Sequence, residues 1–276
     1  MIMSDDLRQE MESYLGFLID HELEDAYAPE PLNRTLSENK PAFPRAVAAA
    51  TQIRVTPVQT GNNVSQLRPQ SLANLDVATV LHEARQRAAS ARTLDELYAE
   101  LEAFQHMPLR HEGATSLVRF RGQVAPELLV VGECPDAEED ASGACFAGKP
   151  GQMIDAALKA AGVFEKTMLT PCVYWRPAGG RPLTAEDISL NAPFMQAFIR
   201  LAAPKAVLLL GASAVSCVLN LDQSLAKLRG RIVNLDSAGN SLPVMATYPP
   251  AFLLRQPQAK AQMWRDLLQL VVKVGL

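Results

Sequence analysis

Apolar positions fall along the chain in two rhythms. Four short, mostly apolar runs, Leu128 to Gly132, Met168 to Tyr174, Lys205 to Leu210 and Leu242 to Thr247, lack the polar alternation of a half-exposed strand. They predict strands covered on both faces of a sheet. A shorter strand is expected near Arg231 to Leu235. Elsewhere the apolar residues recur every three to four positions. Met153, Ile154, Ala157, Leu158 and Ala161 follow Pro150 in this way, and Met263, Trp264, Leu267, Leu268 and Val271 do so within a closing helix over 258 to 273. Helices are also expected over 76 to 91, 93 to 104, 184 to 202 and from Gly211 through Leu219. Thr93-Leu-Asp-Glu and Thr184-Ala-Glu-Asp carry capping-box spacing. Strands alternating with helices predict an α/β fold: a three-layer α/β/α sandwich with a mainly parallel central sheet, occupying residues 73 to 276.

The front of the chain is different. Residues 4 to 26 open on Ser4, a helix cap, and place Leu7, Met11, Leu15, Leu18 and Leu23 on one stripe of an otherwise acidic amphipathic helix. Two roles stay open for it, packing on the body or contacting a protein partner. Residues 27 to 72 show no helix or strand period and are rich in Pro, Asn, Gln, Ser and Thr, which predicts a disordered linker. The fold therefore carries an N-terminal helical extension on a tether.

Composition narrows the class. Of 276 residues 48% are apolar and the mean hydropathy is near zero, so the chain can bury a large core. No run approaches the roughly 18 apolar residues of a membrane span, and Asp5 and Asp6 stand where a secretory leader would be basic. A cytoplasmic location without a membrane partner is expected. Cys134, Cys145, Cys172 and Cys217 show no metal-ligand spacing, so buried thiols and no metal are the expectation. Residues 1 to 111 carry ten basic and sixteen acidic side chains, and residues 112 to 276 carry sixteen and fourteen. The acidic excess thus belongs to the front, and the body is slightly basic, which permits contact with DNA.

The strongest site signal lies between Glu127 and Ala161, where a buried strand delivers a long loop to a helix start, the place where open α/β sheets hold ligands. Within it, Gly143-Ala-Cys-Phe-Ala-Gly148-Lys149 imitates a phosphate-binding loop. Pro150 occupies the position that needs a hydroxyl for magnesium, and Gly143 lies eleven residues beyond Gly132 rather than directly after the strand, so nucleotide hydrolysis is set aside.

Read together, five segments carry a resemblance: GECPD (132 to 136), ACFAGKPGQMID (144 to 155), LTPCVYWRP (169 to 177), KLRG (227 to 230) and YPPAFLL (248 to 254). In this order they resemble the uracil-DNA glycosylase superfamily, and within it the iron-sulfur family 4 enzymes. The resemblance implies a role in base-excision DNA repair, DNA as partner, and a base pocket walled by Gly132, Pro135 and the stacking ring of Phe146. It makes Glu133 the catalytic candidate, with Asp140 a remote water-activating one. Lys227, Arg229, Arg231 and Arg255 become the DNA-gripping cations, and Leu253 or Leu254 the wedge that enters the duplex.

Several family positions have changed identity. The base-reading asparagine aligns with Pro171, and the histidine that steadies the departing uracil aligns with Pro249. Proline offers neither an amide side chain nor a backbone N–H. Losing one comparable donor costs about 3 to 4 kcal/mol of transition-state stabilisation. All four histidines, His21, His82, His106 and His111, precede the central strand. Phe104, Met107, Trp175 and Asn191 stand where the resemblance places the cluster cysteines, so no iron-sulfur cluster and no other cofactor is expected. Two functions stay open. One is a divergent member that binds DNA or a partner with weak or no base excision. The other is an active, cluster-free glycosylase that hydrolyses the N-glycosidic bond of uracil or another damaged base.

Overall fold

The computed structural model describes residues 77–221, 225–237 and 240–276. The helix expected over 4 to 26 and the linker expected over 27 to 72 lie outside the described residues. Six strands form one sheet: β1 (Arg121–Gly122), β2 (Leu128–Gly132), β3 (Thr167–Pro171), β4 (Ala206–Leu210), β5 (Ile232–Ser237) and β6 (Asn240–Thr247), in the order β1-β3-β2-β4-β6-β5. The four inner strands run parallel, and β1 and β5 close the two edges antiparallel.

Residue parity explains why the strand sequences are apolar throughout. Leu129, Val131, Met168, Val207, Leu209, Val244 and Ala246 face one layer, built by α1 (Val77–Ser90), α2 (Leu94–Ala103), α5 (Ala185–Ala202) and α6 (Ala212–Leu219). Leu128, Val130, Leu169, Ala206, Leu208, Leu210 and Met245 face the other, built by α4 (Gly148–Ala160), α8 (Pro250–Arg255) and α9 (Lys260–Val274). With both pleat faces covered, every residue of β2, β3 and β4 is buried. The expected α/β/α sandwich is what these residues build.

Local differences have local causes. The strand expected to reach Tyr174 pairs only to Pro171: the Cys172 N–H still donates to the carbonyls of Gly132 and Glu133 at 3.0 and 3.2 Å, and from Cys172 the backbone bends away. At α5 the capping box is complete, Thr184 and Asp187 each accepting from the other's backbone N–H. At α2 it is half-formed: Thr93 accepts from the Glu96 N–H, but the Glu96 carboxylate turns to the Arg92 N–H at 2.7 Å.

One expectation is corrected. The long loop expected between the strand and the helix start carries a helix of its own along its acidic run, α3 (Ala137–Ser142). Asp136 caps it, Glu139 completes a capping box, and both Glu139 and Asp140 are buried. The signature Asp136-x-x-Glu139 is the capping-box pattern with aspartate in place of serine or threonine. A further short helix, α7 (Leu225–Leu228), and α8 were also unanticipated.

Candidate functional site

From β2 the chain steps to β3 on one side, then crosses to β4 on the other. The carboxyl end of β2 is therefore the point where strand order reverses, the place at which open α/β sheets bind ligands. Registers fix what stands along that edge: Pro171 opposite Gly132, Val131 opposite Leu209, and Leu210 opposite Thr247. The Gly211 N–H donates to the Thr247 carbonyl at 3.0 Å. Pro249, two residues past β6, is the N-cap of α8. Pro171 and Pro249 thus share the carboxyl edge with Gly132, on strands about 15 Å apart at the usual spacing.

Phe146 packs directly on that edge. A Cβ on Gly132 would lie 2.6 Å from the tip of the Phe146 ring, so glycine is what lets the ring lie against the end of β2. Phe146 itself has φ of 54°, an uncommon backbone state for a bulky residue, and three contacts hold it there. Its N–H donates to Glu139 Oε1, the Arg121 guanidinium donates to the carbonyls of Cys145 and Phe146 at 2.9 and 3.4 Å, and Gly151 lies against the Phe146 carbonyl too closely for any Cβ. Arg121 is fixed in turn by Asp155 at 2.7 Å. The other Glu139 oxygen accepts from the Asp136 N–H at 2.8 Å. Burial raises the Glu139 pKa, with the hydrogen bonds from Asp136 and Phe146 pulling against it. One carboxylate therefore sets both the start of α3 and the turn at Phe146.

Glu133 leaves the end of β2 and lies across Gly211, whose missing side chain makes the room: a Cβ there would be 2.4 Å from the Glu133 carboxyl carbon. Burial pushes its pKa up. The nearby Ser213 N–H and hydroxyl and the Ala212 N–H, together with the charge of Arg255, pull it part of the way back. The carboxylate thus faces the amino end of α6, where unsatisfied N–H groups and the helix dipole favour an anion. Next to it, burial pushes the half-buried Cys134 thiol up to about 11, so it stays protonated at neutral pH. Pro135 is buried behind the same loop. Asp140 faces elsewhere. Its carboxylate accepts from the N–H groups of Thr115 and Ser116 at 2.8 and 3.0 Å and lies 3.2 Å from Arg176. Desolvation works against its ionisation, but these partners outweigh it and hold the pKa below the usual carboxylate range.

The cations expected to grip DNA divide into two sets. Lys227, Arg231 and Arg255 are exposed. Arg229 is only 21% exposed and forms a two-point pair with Asp266. The two wedge candidates also part: Leu253 is fully buried in the core, whereas Leu254 stands 40% exposed on α8. Helix periodicity explains the split, since neighbours on one turn point to different faces, and the unanticipated α8 hid that signal.

At the four positions that the resemblance gives to cluster thiolates, Phe104, Met107, Trp175 and Asn191 are all buried. The Asn191 amide donates to the Met107 sulfur at 3.1 Å, and the Phe104 ring lies 5.7 Å from that of Phe194. None of these groups is a thiolate, and the donor set does not fit an iron-sulfur cluster. Among the described residues no group of three or more His, Cys, Asp or Glu side chains is arranged to hold a metal ion, and no helix is long and apolar enough to cross a membrane.

Comparison with known proteins agrees in extent with this architecture. Residues 120–268 match the family model of the Uracil DNA glycosylase superfamily. The Type-4 uracil-DNA glycosylase of Pyrobaculum aerophilum is 27% identical over 179 residues, covering 63% of this chain and 91% of that protein. The Archaeoglobus fulgidus protein of the same name is 25% identical over 179 residues, with 63% and 89% covered. That of Thermotoga maritima is 29% identical over 147 residues, with 52% and 75% covered.

Proposed function

The chain belongs to the uracil-DNA glycosylase superfamily, and from that premise we propose that it is a cytoplasmic DNA-repair protein that holds DNA at the carboxyl edge of its sheet while releasing bases weakly or not at all. The observation that carries this reading is the pair Pro171 and Pro249 on that edge, where the resemblance calls for an amide and an imidazole. A flipped base there would meet an aromatic wall without the paired hydrogen bonds that identify it. Glu133 points the same way. Its carboxylate lies against Gly211 and faces the N–H groups of Ala212 and Ser213 at the start of α6, which competes with orienting a water at the sugar carbon.

The DNA-facing set is Lys227, Arg231 and Arg255, with Leu254 as the apolar residue at the contact. Residues 4 to 26 are the proposed contact for a protein partner. One observation favours the alternative of an active, cluster-free glycosylase: the Phe146 ring lies against Gly132 at the carboxyl edge, where a stacking wall would stand.

Binding and base release on uracil-containing single- and double-stranded DNA distinguish the two. The expected result is binding that falls with salt and with Lys227→Ala plus Arg231→Ala, and uracil release no faster than the blank. Robust release abolished by Glu133→Ala would establish the active enzyme instead.

A further inference from the structure

The arginine of the 227–230 segment is held in a way that a phosphate-binding side chain would not be. Arg229 donates from Nη2 to Asp266 Oδ1 at 3.0 Å and from Nε to Oδ2 at 3.2 Å, the two-point fork that guanidinium makes with carboxylate. Nη2 also reaches the Gln262 carbonyl at 3.4 Å. Asp266 is 3% exposed, and its Oδ2 accepts a second hydrogen bond, from the Thr247 hydroxyl at 2.6 Å. Gly230, with φ of +71°, brings the loop so close to α9 that even a Cβ would lie 3.2 Å from Asp266 Oδ1. The Arg229 guanidinium also covers the Tyr248 ring at 5.2 Å, and Tyr248 packs on Phe252 with centroids 4.9 Å apart and the rings tilted by 31°.

These contacts form one connected chain. Thr247 ends β6, Asp266 sits on α9, Arg229 follows α7, and Phe252 lies on α8 between the core residue Leu253 and the segment's start. Through them the segment of α7 and its following turn, which carries Lys227 and Arg231, is tied to the helix carrying Leu254 and Arg255. We propose that Arg229, Asp266 and Thr247 are positioning residues that latch these two segments into a single DNA-facing unit, with Tyr248 and Phe252 as the bridge. The inference rests on the DNA-binding reading above, but the latch itself is a property of the free protein. Arg229 serves through Lys227 and Arg231 rather than by touching phosphate.

The test uses the full-length chain with Asp266→Asn, Arg229→Lys and Lys227→Ala, alone and combined. Asparagine keeps the size and the acceptor for Thr247, and lysine keeps the charge without the fork. Asp266→Asn also removes a negative charge, which on simple electrostatics tightens binding to DNA. A latch predicts the opposite: Asp266→Asn and Arg229→Lys each weaken binding on the order of tenfold, and their combination is little worse than either alone. Lys227→Ala is then costly in the parent and nearly silent in the Asp266→Asn background. Binding as tight as the parent's in both single variants overturns the proposal, as does an unchanged cost of Lys227→Ala. Trypsin cleavage after Lys227 and Arg231, followed by mass spectrometry without DNA, reads the latch independently. Faster cleavage in Asp266→Asn is expected, and equal rates refute the latch whether or not the parent binds DNA. Parent protein that fails to bind DNA refutes the functional reading instead and leaves the cleavage rates to decide the latch.

Discussion

Glu139 does more for the candidate site than the residues singled out by the resemblance. Its two oxygens take the N–H groups of Asp136 and Phe146, so the amino end of α3 and the left-handed turn at Phe146 share one buried carboxylate. Replacing it with glutamine turns one acceptor into a donor facing a backbone N–H. Glu139→Gln is therefore expected to lower stability by about 1 to 3 kcal/mol, the cost of an unmet buried hydrogen bond, in urea unfolding. An unfolding midpoint equal to the parent's would show that Phe146 is held by its neighbours alone. This role was legible as Asp136-x-x-Glu139, but the run of acids around it imitates a solvated loop, and composition masked the cap. Arg121 left no comparable signal, because its partners are the carbonyls of Cys145 and Phe146 and the side chain of Asp155, all distant in sequence.

Among the elements, α5 shows how a helix start is fastened to the rest of the fold. Thr184 and Asp187 cap it reciprocally, while Arg181 donates to Asp187 at 2.7 Å and pairs with Glu112 at 2.5 Å. Burial opposes the charge on Asp187, yet the Arg181 and Thr184 hydrogen bonds prevail and depress its pKa. A depressed carboxylate contributes stability above its unfolded pKa and loses it as pH falls through the folded value. The stability difference between the parent and Asp187→Asn should thus be steady from neutrality to about pH 4 and shrink below it. A difference that holds undiminished to the acid limit of folding would remove Asp187 from the acid transition. The cap was readable in the sequence because both of its residues are local. Glu112, more than sixty residues from Arg181, was not. The same divide holds for the strands. Buried runs identified β2, β4 and β6, but the end of β3 depended on the backbone turning at Cys172.

At the scale of the molecule, strand order and register bring Pro171, Gly132, Gly211 and Thr247 onto one edge, with Phe146 and Glu133 lying over it. The fold was legible because a parallel sheet covered on both faces leaves unbroken apolar strands and amphipathic helices between them. The candidate residues could be named from the sequence but their engagements could not, since Glu133 at the start of α6 and Arg229 on Asp266 depend on contacts made only after folding. The body of the chain belongs to a superfamily whose relatives include Type-4 uracil-DNA glycosylases. On the proposed reading, this edge keeps the shape of a base pocket and lacks its polar groups. Single-turnover release of uracil from single-stranded DNA, compared between the parent and Pro171→Asn combined with Pro249→His, tests that claim most directly. The expected result is a parent at the blank rate and a variant on the order of 100-fold faster, the worth of a restored donor; a parent that already releases uracil, at a rate the two substitutions do not raise, would contradict that reading.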